Sequence, residues 1–278
     1  MKVKVWGCRG SLPSPGPENI IYGGNTSCIQ IIDGDTCIIL DGGSGIQRLG
    51  KILPPEVKEI HILLTHLHID HTMGLGFFQP LYNPNVKLHF WGPASHGENL
   101  LRRLRRYFSP PLFPVRLNEL PNHPVIHELG NSEITIGNVK IKSAFICHVG
   151  PTLGFRISTG KSTFAYMPDH EPALGSVDFP NKPEWTSGYE IAKDVDLLFH
   201  DGEYTVEEYS DKKGWGHSSI DDAIEFGRIC KVKQLAVFHH DPLNSDKRLE
   251  EIFKDSLSMK KPEYTVFLCK EGDVFDLD

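Results

Sequence analysis

Positive charge is in short supply. The chain has 29 Lys and Arg against 36 Asp and Glu, a net charge of −7 with His neutral. A broad nucleic-acid-binding surface is therefore not indicated, because such surfaces need clustered cations. A local basic patch remains open. Cysteine is sparse and scattered: Cys8, Cys28, Cys37, Cys147, Cys230 and Cys269 form no C-x-x-C, so neither a disulfide framework nor a zinc ribbon is expected. No apolar run approaches the roughly 20 residues of a membrane span. The opening Met1-Lys2-Val3-Lys4-Val5-Trp6 lacks the apolar core of a signal peptide. Internal repeats and low-complexity stretches are missing too. What remains is ordinary globular composition, 39% hydrophobic and 23% charged over 278 residues. The expectation is a cytoplasmic protein with no membrane association.

Histidine, by contrast, is plentiful, with 14 copies, and several are concentrated. The apolar run Ile62-Leu63-Leu64 reads as a buried strand, and Thr65-His66-Leu67-His68-Ile69-Asp70-His71 follows it. Chance supplies only about 0.002 matches to H-x-H-x-D-H in a chain of this composition. Imidazole nitrogens with a carboxylate oxygen suit Zn²⁺, and also Mn²⁺ or Fe. In a loop leaving a strand end, His66 and His68 can point one way and Asp70 and His71 the other. That arrangement suits two metals sharing one loop.

Strands are expected at 3–6, 28–32, 36–40, 59–64, 86–91, 125–129, 133–136, 139–145, 153–158, 162–167, 195–199, 234–238 and 264–269. Helices are expected at 46–53, 221–229 and 248–257, and residues 97–118 are unlike their surroundings. Asp33-Gly34-Asp35 is a hairpin signal, and residues 173–193 read as a connection bearing Pro and Gly. The informative regularity is positional. Asp41, His66, His148, Asp169, His200 and His239 each stand just after an expected strand. Active sites of layered α/β proteins collect on loops held at such strand ends. For Asp41, followed by Gly42-Gly43, a turn former and an acid directed at the site are equally good readings. Leu100, Leu101, Leu104 and Phe108 have helical spacing, interleaved with Arg102, Arg103, Arg105 and Arg106. A solvated basic helix face is favoured there over an anionic-substrate wall.

At these residues the sequence resembles the metallo-β-lactamase superfamily. Leu40-Asp41-Gly42-Gly43, Thr65 to His71, Cys147-His148, Met167-Pro168-Asp169 and Phe238-His239-His240 carry the resemblance. It implies an α/β fold, an αββα four-layer sandwich, with 1–278 as a single domain and an insertion at about 92–122. It also implies two divalent metal ions, Zn²⁺ before Mn²⁺ or Fe, held in a cleft. By the match, His66, His68 and His148 would hold one metal. Asp70, His71 and His239 would hold the second, with Asp169 bridging. His239 is taken over His240 as the first residue after its strand. Within the superfamily, Asp196 to Asp201, Gly216-His217-Ser218-Ser219 and Leu235 to His239 look like ribonuclease Z and related phosphodiesterases. That branch implies His217 as proton donor paired with Asp201, and Asp70 is carried with the catalytic groups as well as the ligands.

Two cations a few Å apart lower the pKa of a bridging water and yield a hydroxide nucleophile. The expected activity is hydrolysis of a small or cyclic phosphodiester, so the expected partner is a small anionic molecule. Nucleic acid is not favoured, because no long basic Gly/Pro-rich arm of the tRNA-processing kind is present. A hydrolase of a lactone, thioester or other carboxyl derivative is the alternative. An RNA-processing nuclease and a non-enzymatic ligand sensor come after it. A homodimer is left open.

Overall fold

The β-branched runs form strands in the computed structural model. Those of the first half are β1 (Lys2–Gly7), β2 (Cys28–Asp33), β3 (Thr36–Leu40), β4 (Glu59–Leu63), β5 (Lys87–Pro93), β6 (Val125–Leu129) and β7 (Ser132–Ile136). Those of the second half are β8 (Val139–Phe145), β9 (Leu153–Ser158), β10 (Thr163–Met167), β11 (Leu197–Asp201), β12 (Gln234–Phe238), β13 (Thr265–Leu268) and β14 (Val274–Asp276). The helices are α1 (Ile46–Ile52), α2 (Ile69–Thr72), α3 (Leu100–Tyr107), α4 (Tyr189–Ala192), α5 (Val206–Asp211), α6 (Ile220–Cys230) and α7 (Asp246–Lys260). The structure describes every residue except Asp35, Gly175, Val177, Asp178, Asn181 and Asp278. Thus Asp35 of the β2–β3 turn, and four positions of the 173–193 connection, lie outside the described residues. Among the described residues, no helix is long and apolar enough to cross a membrane.

Among the described residues two seven-stranded sheets result, ordered β14-β1-β2-β3-β4-β5-β6 and β13-β12-β11-β10-β9-β8-β7. The period of two along each strand decides the layers. Ile38 and Leu40 of β3 turn toward the other sheet and meet Phe155, Phe164, Phe199 and Phe238 in one core. Cys37 and Ile39 turn outward onto Leu49 of α1 and share a second core with Leu104 of α3. On the far side Ala165 and Leu198 pack against Ile191, Phe226 and Leu249 of α4, α6 and α7. The fold is the αββα sandwich that the resemblance implied.

Strands β3 to β6 run parallel in one sheet, and β10 to β13 run parallel in the other. Parallel strands share one carboxyl-end edge, where ligand-binding loops gather. Several details depart from the sequence reading. Parallel pairing on both sides (Met167↔His200, Asp201↔Phe238) carries β11 through Asp201, so His200 lies in a strand and not after it. The second half of the 65–71 stretch is helical: α2 starts directly after His68. Helix α5 was not expected, although Thr205 and Glu208 form a capping box at its start.

The Arg-rich α3 has an ion-paired surface face. Arg102 and Arg106 reach Glu98 at 3.6 and 2.6 Å, and Arg103 lies 3.8 Å from Glu128. Its other side continues into a wall beside α2, where the Tyr107 hydroxyl donates to the Met73 carbonyl at 2.7 Å and Phe113 packs edge-on to Phe77.

The loop after β1 is tied down by Arg9, which is fully buried. Its guanidinium donates to the carbonyls of Gly23, Asp241 and Asn244 and to the side chains of Asn19 and Asp246. Arg9→Met is expected to destabilise the protein by about 3–5 kcal/mol, because it leaves Asp246 buried without its counter-charge. Urea unfolding measures this, and a loss below about 1 kcal/mol would mean the pair is of the exposed, weak kind.

Candidate metal centre

Backbone strain marks the edge where the two sheets meet. Asp41, one residue past β3, has φ +59°, and His239, one past β12, has φ +60°. Left-handed backbone in residues other than glycine costs of order 1–3 kcal/mol and persists where surrounding contacts over-determine it. His239 belongs to the cluster described next, and Asp41 stands directly behind it on His71.

Two groups of side chains converge, each with its candidate ligand atoms within 4.8 Å of one another. One is His66, His68, His148 and Asp169; the other is Asp70, His71, Asp169 and His239. The turn into α2 explains how one short stretch serves both groups. His66 and His68 precede the helix, His68 with extended backbone, while Asp70 and His71 lie within it. Asp169, one residue beyond Pro168 after β10, stands between the groups. Its Oδ2 is 3.6 Å from His66 Nε2, 3.7 Å from His148 Nε2 and 3.3 Å from His239 Nε2. Its Oδ1 is 2.9 Å from His71 Nε2. Asp70 Oδ2 is 3.1 Å from both His71 Nε2 and His239 Nε2.

A cation fits this arrangement. His66 Nε2, His71 Nε2 and Asp169 Oδ1 are buried and make no hydrogen bond. Each such orphan costs about 1–3 kcal/mol, yet three face one another. The clusters are suited to one or two divalent metal ions. Electrostatics differ between the halves. Burial opposes charge on His71 and His239, but Asp169 and the other carboxylates outweigh it and raise both imidazoles well above their ordinary range. Burial dominates for His66 and lowers it well below that range. His148 is lowered to about 4 for the same reason. Asp169 is held far below the carboxylate range: burial pushes it up, and His239, His71 and His66 together pull it further down.

The ring nitrogens turned away from the cluster are held as well, which orients the rings. His71 Nδ1 sits 2.8 Å from Asp41 Oδ2, which also accepts from the Tyr166 hydroxyl at 3.0 Å. His66 Nδ1 is 3.1 Å from Thr65 Oγ1, and His148 Nδ1 donates to the Gly216 carbonyl at 2.7 Å. Asp41 is thus a buried acid behind His71 rather than a plain turn former.

His217 stands beside both groups. Its ring stacks on His239 at 4.9 Å and meets His148 edge-on at 5.0 Å. Its Nδ1 is 2.7 Å from Asp201 Oδ2. Backbone amides of His170, Glu203 and Ser218 donate to the same Asp201 carboxylate at 3.1, 3.1 and 3.2 Å. Burial would lower the His217 pKa, but Asp201 and then Glu203 outweigh it and bring it to about 9.

Not every strand-end candidate joins. His200 faces the helix layer, where its ring lies 4.8 Å from that of Phe226 and its Nε2 meets His170 Nδ1 at 2.9 Å. His240 turns away too, with Nε2 on the Cys269 carbonyl at 2.7 Å. Glu203 and Glu171 were not singled out by sequence reasoning. Glu171 accepts from the Gly214 and Gly216 amides and the Tyr209 hydroxyl, which holds the loop bearing His217. Neither acid has a spacing signal. A remaining group, Glu59, His61 and His89, is already satisfied. Trp91 Nε1 donates to His61 Nδ1 at 3.2 Å, and Lys87 Nζ is 2.9 Å from Glu59 Oε1.

Close packing at Gly10 follows from the same geometry. A Cβ there would lie 2.3 Å from His239 Nδ1. Gly10→Ala is expected to displace the His239 ring and cut metal content while leaving the fold intact. Elemental analysis beside circular dichroism checks this, and an unchanged metal content would show that the loop yields instead.

A family model described as Beta-lactamase superfamily domain matches residues 37–240. Among curated relatives, ribonuclease Z of Thermococcus gammatolerans is 28% identical over 245 residues, covering 73% of this chain and 74% of its own. Among solved structures, the metallo-β-lactamase fold protein YhfI of Bacillus subtilis superposes with a TM-score of 0.72 at 18% identity, covering 99% of this chain and 98% of its own. The short form of human tRNase Z gives 0.67 at 19% identity, covering all of both chains. With a match across most of its length and His and Asp side chains clustered at the strand ends, the chain belongs to the metallo-β-lactamase superfamily and is a metal-dependent hydrolase.

Proposed function

We propose that this protein is a two-metal phosphodiesterase that hydrolyses a small or cyclic phosphodiester, with Zn²⁺ as the preferred ion. In this reading His66, His68 and His148 hold one ion, Asp70, His71 and His239 the other, and Asp169 spans both. When bound, such ions supply a water-derived nucleophile near neutral pH and offset charge growing on phosphoryl oxygens.

The observation that carries the reading is the His217–Asp201 pair, 2.7 Å apart and beside both groups. With Nδ1 given to Asp201, the ring keeps Nε2 for a substrate oxygen. Asp201 and Glu203 favour the protonated ring against its burial. An alkoxide leaving from phosphorus needs that proton. A thiolate or an opened lactone demands less of a dedicated acid. The relatives named ribonuclease Z add weight to phosphodiester chemistry. They also favour a second reading, RNA processing. The net charge of −7 and the absence of a long basic arm weigh toward a small substrate.

A turnover screen of metal-loaded protein tests this, with bis-p-nitrophenyl phosphate, cyclic nucleotides, a structured RNA, lactones and nitrocefin. Phosphodiester turnover is expected, with cyclic or small substrates ahead of RNA. Turnover confined to lactones or nitrocefin would overturn the proposal.

A further inference from the structure

Glu203 is 6% exposed and lies two residues past β11. Its Oε1 accepts from the Ser11 hydroxyl at 3.1 Å, and the Ser11 amide donates to Asp70 Oδ2 at 2.9 Å. Its Oε2 lies 3.4 Å from His239 Nδ1 and 3.2 Å from His217 Nδ1. Glu203 Oε2 and His239 Nδ1 are both buried, and neither has a hydrogen-bond partner elsewhere.

Its placement mirrors that of Asp41 behind His71. The two histidines on the Asp70 side are therefore each faced from behind by a carboxylate. On the other side the backing groups are neutral, the Thr65 hydroxyl behind His66 and the Gly216 carbonyl behind His148. A carboxylate on one ring nitrogen fixes the tautomer and makes the other nitrogen a better donor to a cation.

We propose that Glu203 is a positioning residue that orients His239 toward a metal and His217 toward substrate at once. Together with Asp41, it makes the Asp70 side the tighter of the two metal positions. This rests on the two-metal reading of the site, but its main test needs no substrate.

Metal-free protein is titrated with Zn²⁺ against a chromophoric chelator. The wild type is expected to bind two ions with unequal affinity. Glu203→Ala should weaken the tighter event by about 10- to 100-fold and leave the weaker one unchanged. Glu203→Gln keeps an acceptor oxygen in place but loses the charge, and should recover only part of that loss. At saturating Zn²⁺, Glu203→Ala should also lower kcat more for an alkoxide leaving group than for p-nitrophenolate, with KM little changed. Should the alanine variant not fold, Glu203→Asp withdraws the carboxylate from both rings by one methylene, and the same weakening is expected. Equal weakening of both events, or of neither, overturns the proposal. A wild type that binds two ions but hydrolyses no phosphodiester removes the phosphodiesterase reading, and the titration still decides the role of Glu203.

Discussion

Replacing Asp169 by alanine is expected to empty both metal positions and abolish turnover together. Its two oxygens lie within 2.9–3.7 Å of imidazole nitrogens from His66, His71, His148 and His239. Those four rings come from three separate stretches of chain, and this one carboxylate joins both groups. Without it, four imidazoles face one another with no central anion, and a second divalent cation would meet the first with too little negative charge between them. The loss should exceed the about 10–100-fold typical of removing a group behind a ligand. Asp169→Asn should behave almost as badly, because it keeps the size and loses the charge. Elemental analysis of the purified variants, run beside an activity assay, measures both quantities. Full metal occupancy in Asp169→Ala would take that residue out of the bridging position.

The second large effect concerns His217. Its alanine variant should retain metal, because His217 is not among the seven proposed ligands. It should lower kcat by about 10²–10⁴-fold for a phosphodiester with a poor alkoxide leaving group. With p-nitrophenolate, which departs without a proton, the loss should be much smaller. An acid matters only in proportion to the charge that gathers on the departing oxygen. Asp201→Asn should show the same pattern more weakly, since three backbone amides still hold that side chain. The comparison is kcat for the two leaving groups at fixed metal content. Equal losses for both would make His217 a substrate-binding or loop-ordering residue instead.

The fold was legible to the extent that it follows from period and composition. The alternation of Cys37-Ile38-Ile39-Leu40 states that one strand has two apolar faces, which means layers on both sides. Helix α5 escaped notice because it has no buried residue and so no apolar stripe. β14 escaped because three residues carry no period. It exists only because β1 offers it an antiparallel edge.

By itself the sequence pointed to a metal-binding cluster built on 65–71, since four ligand-type residues in six positions leave little room for another use. It also determined that the remaining partners stand at strand ends. Tertiary structure alone decided which strand ends count. Two further residues of pairing on β11 turned His200 onto the helix layer and Asp201 toward His217, because successive side chains on a strand point to opposite faces. The left-handed turn at His239 put that ring on Asp70 and Asp169 and left His240 on the Cys269 carbonyl. Glu203 came to lie against the His239 and His217 rings from a position with no pattern of its own. Contacts between residues 36 or 192 positions apart, such as Glu203 with His239 or Ser11 with Glu203, are settled by how the sheets pack. No local spacing records them.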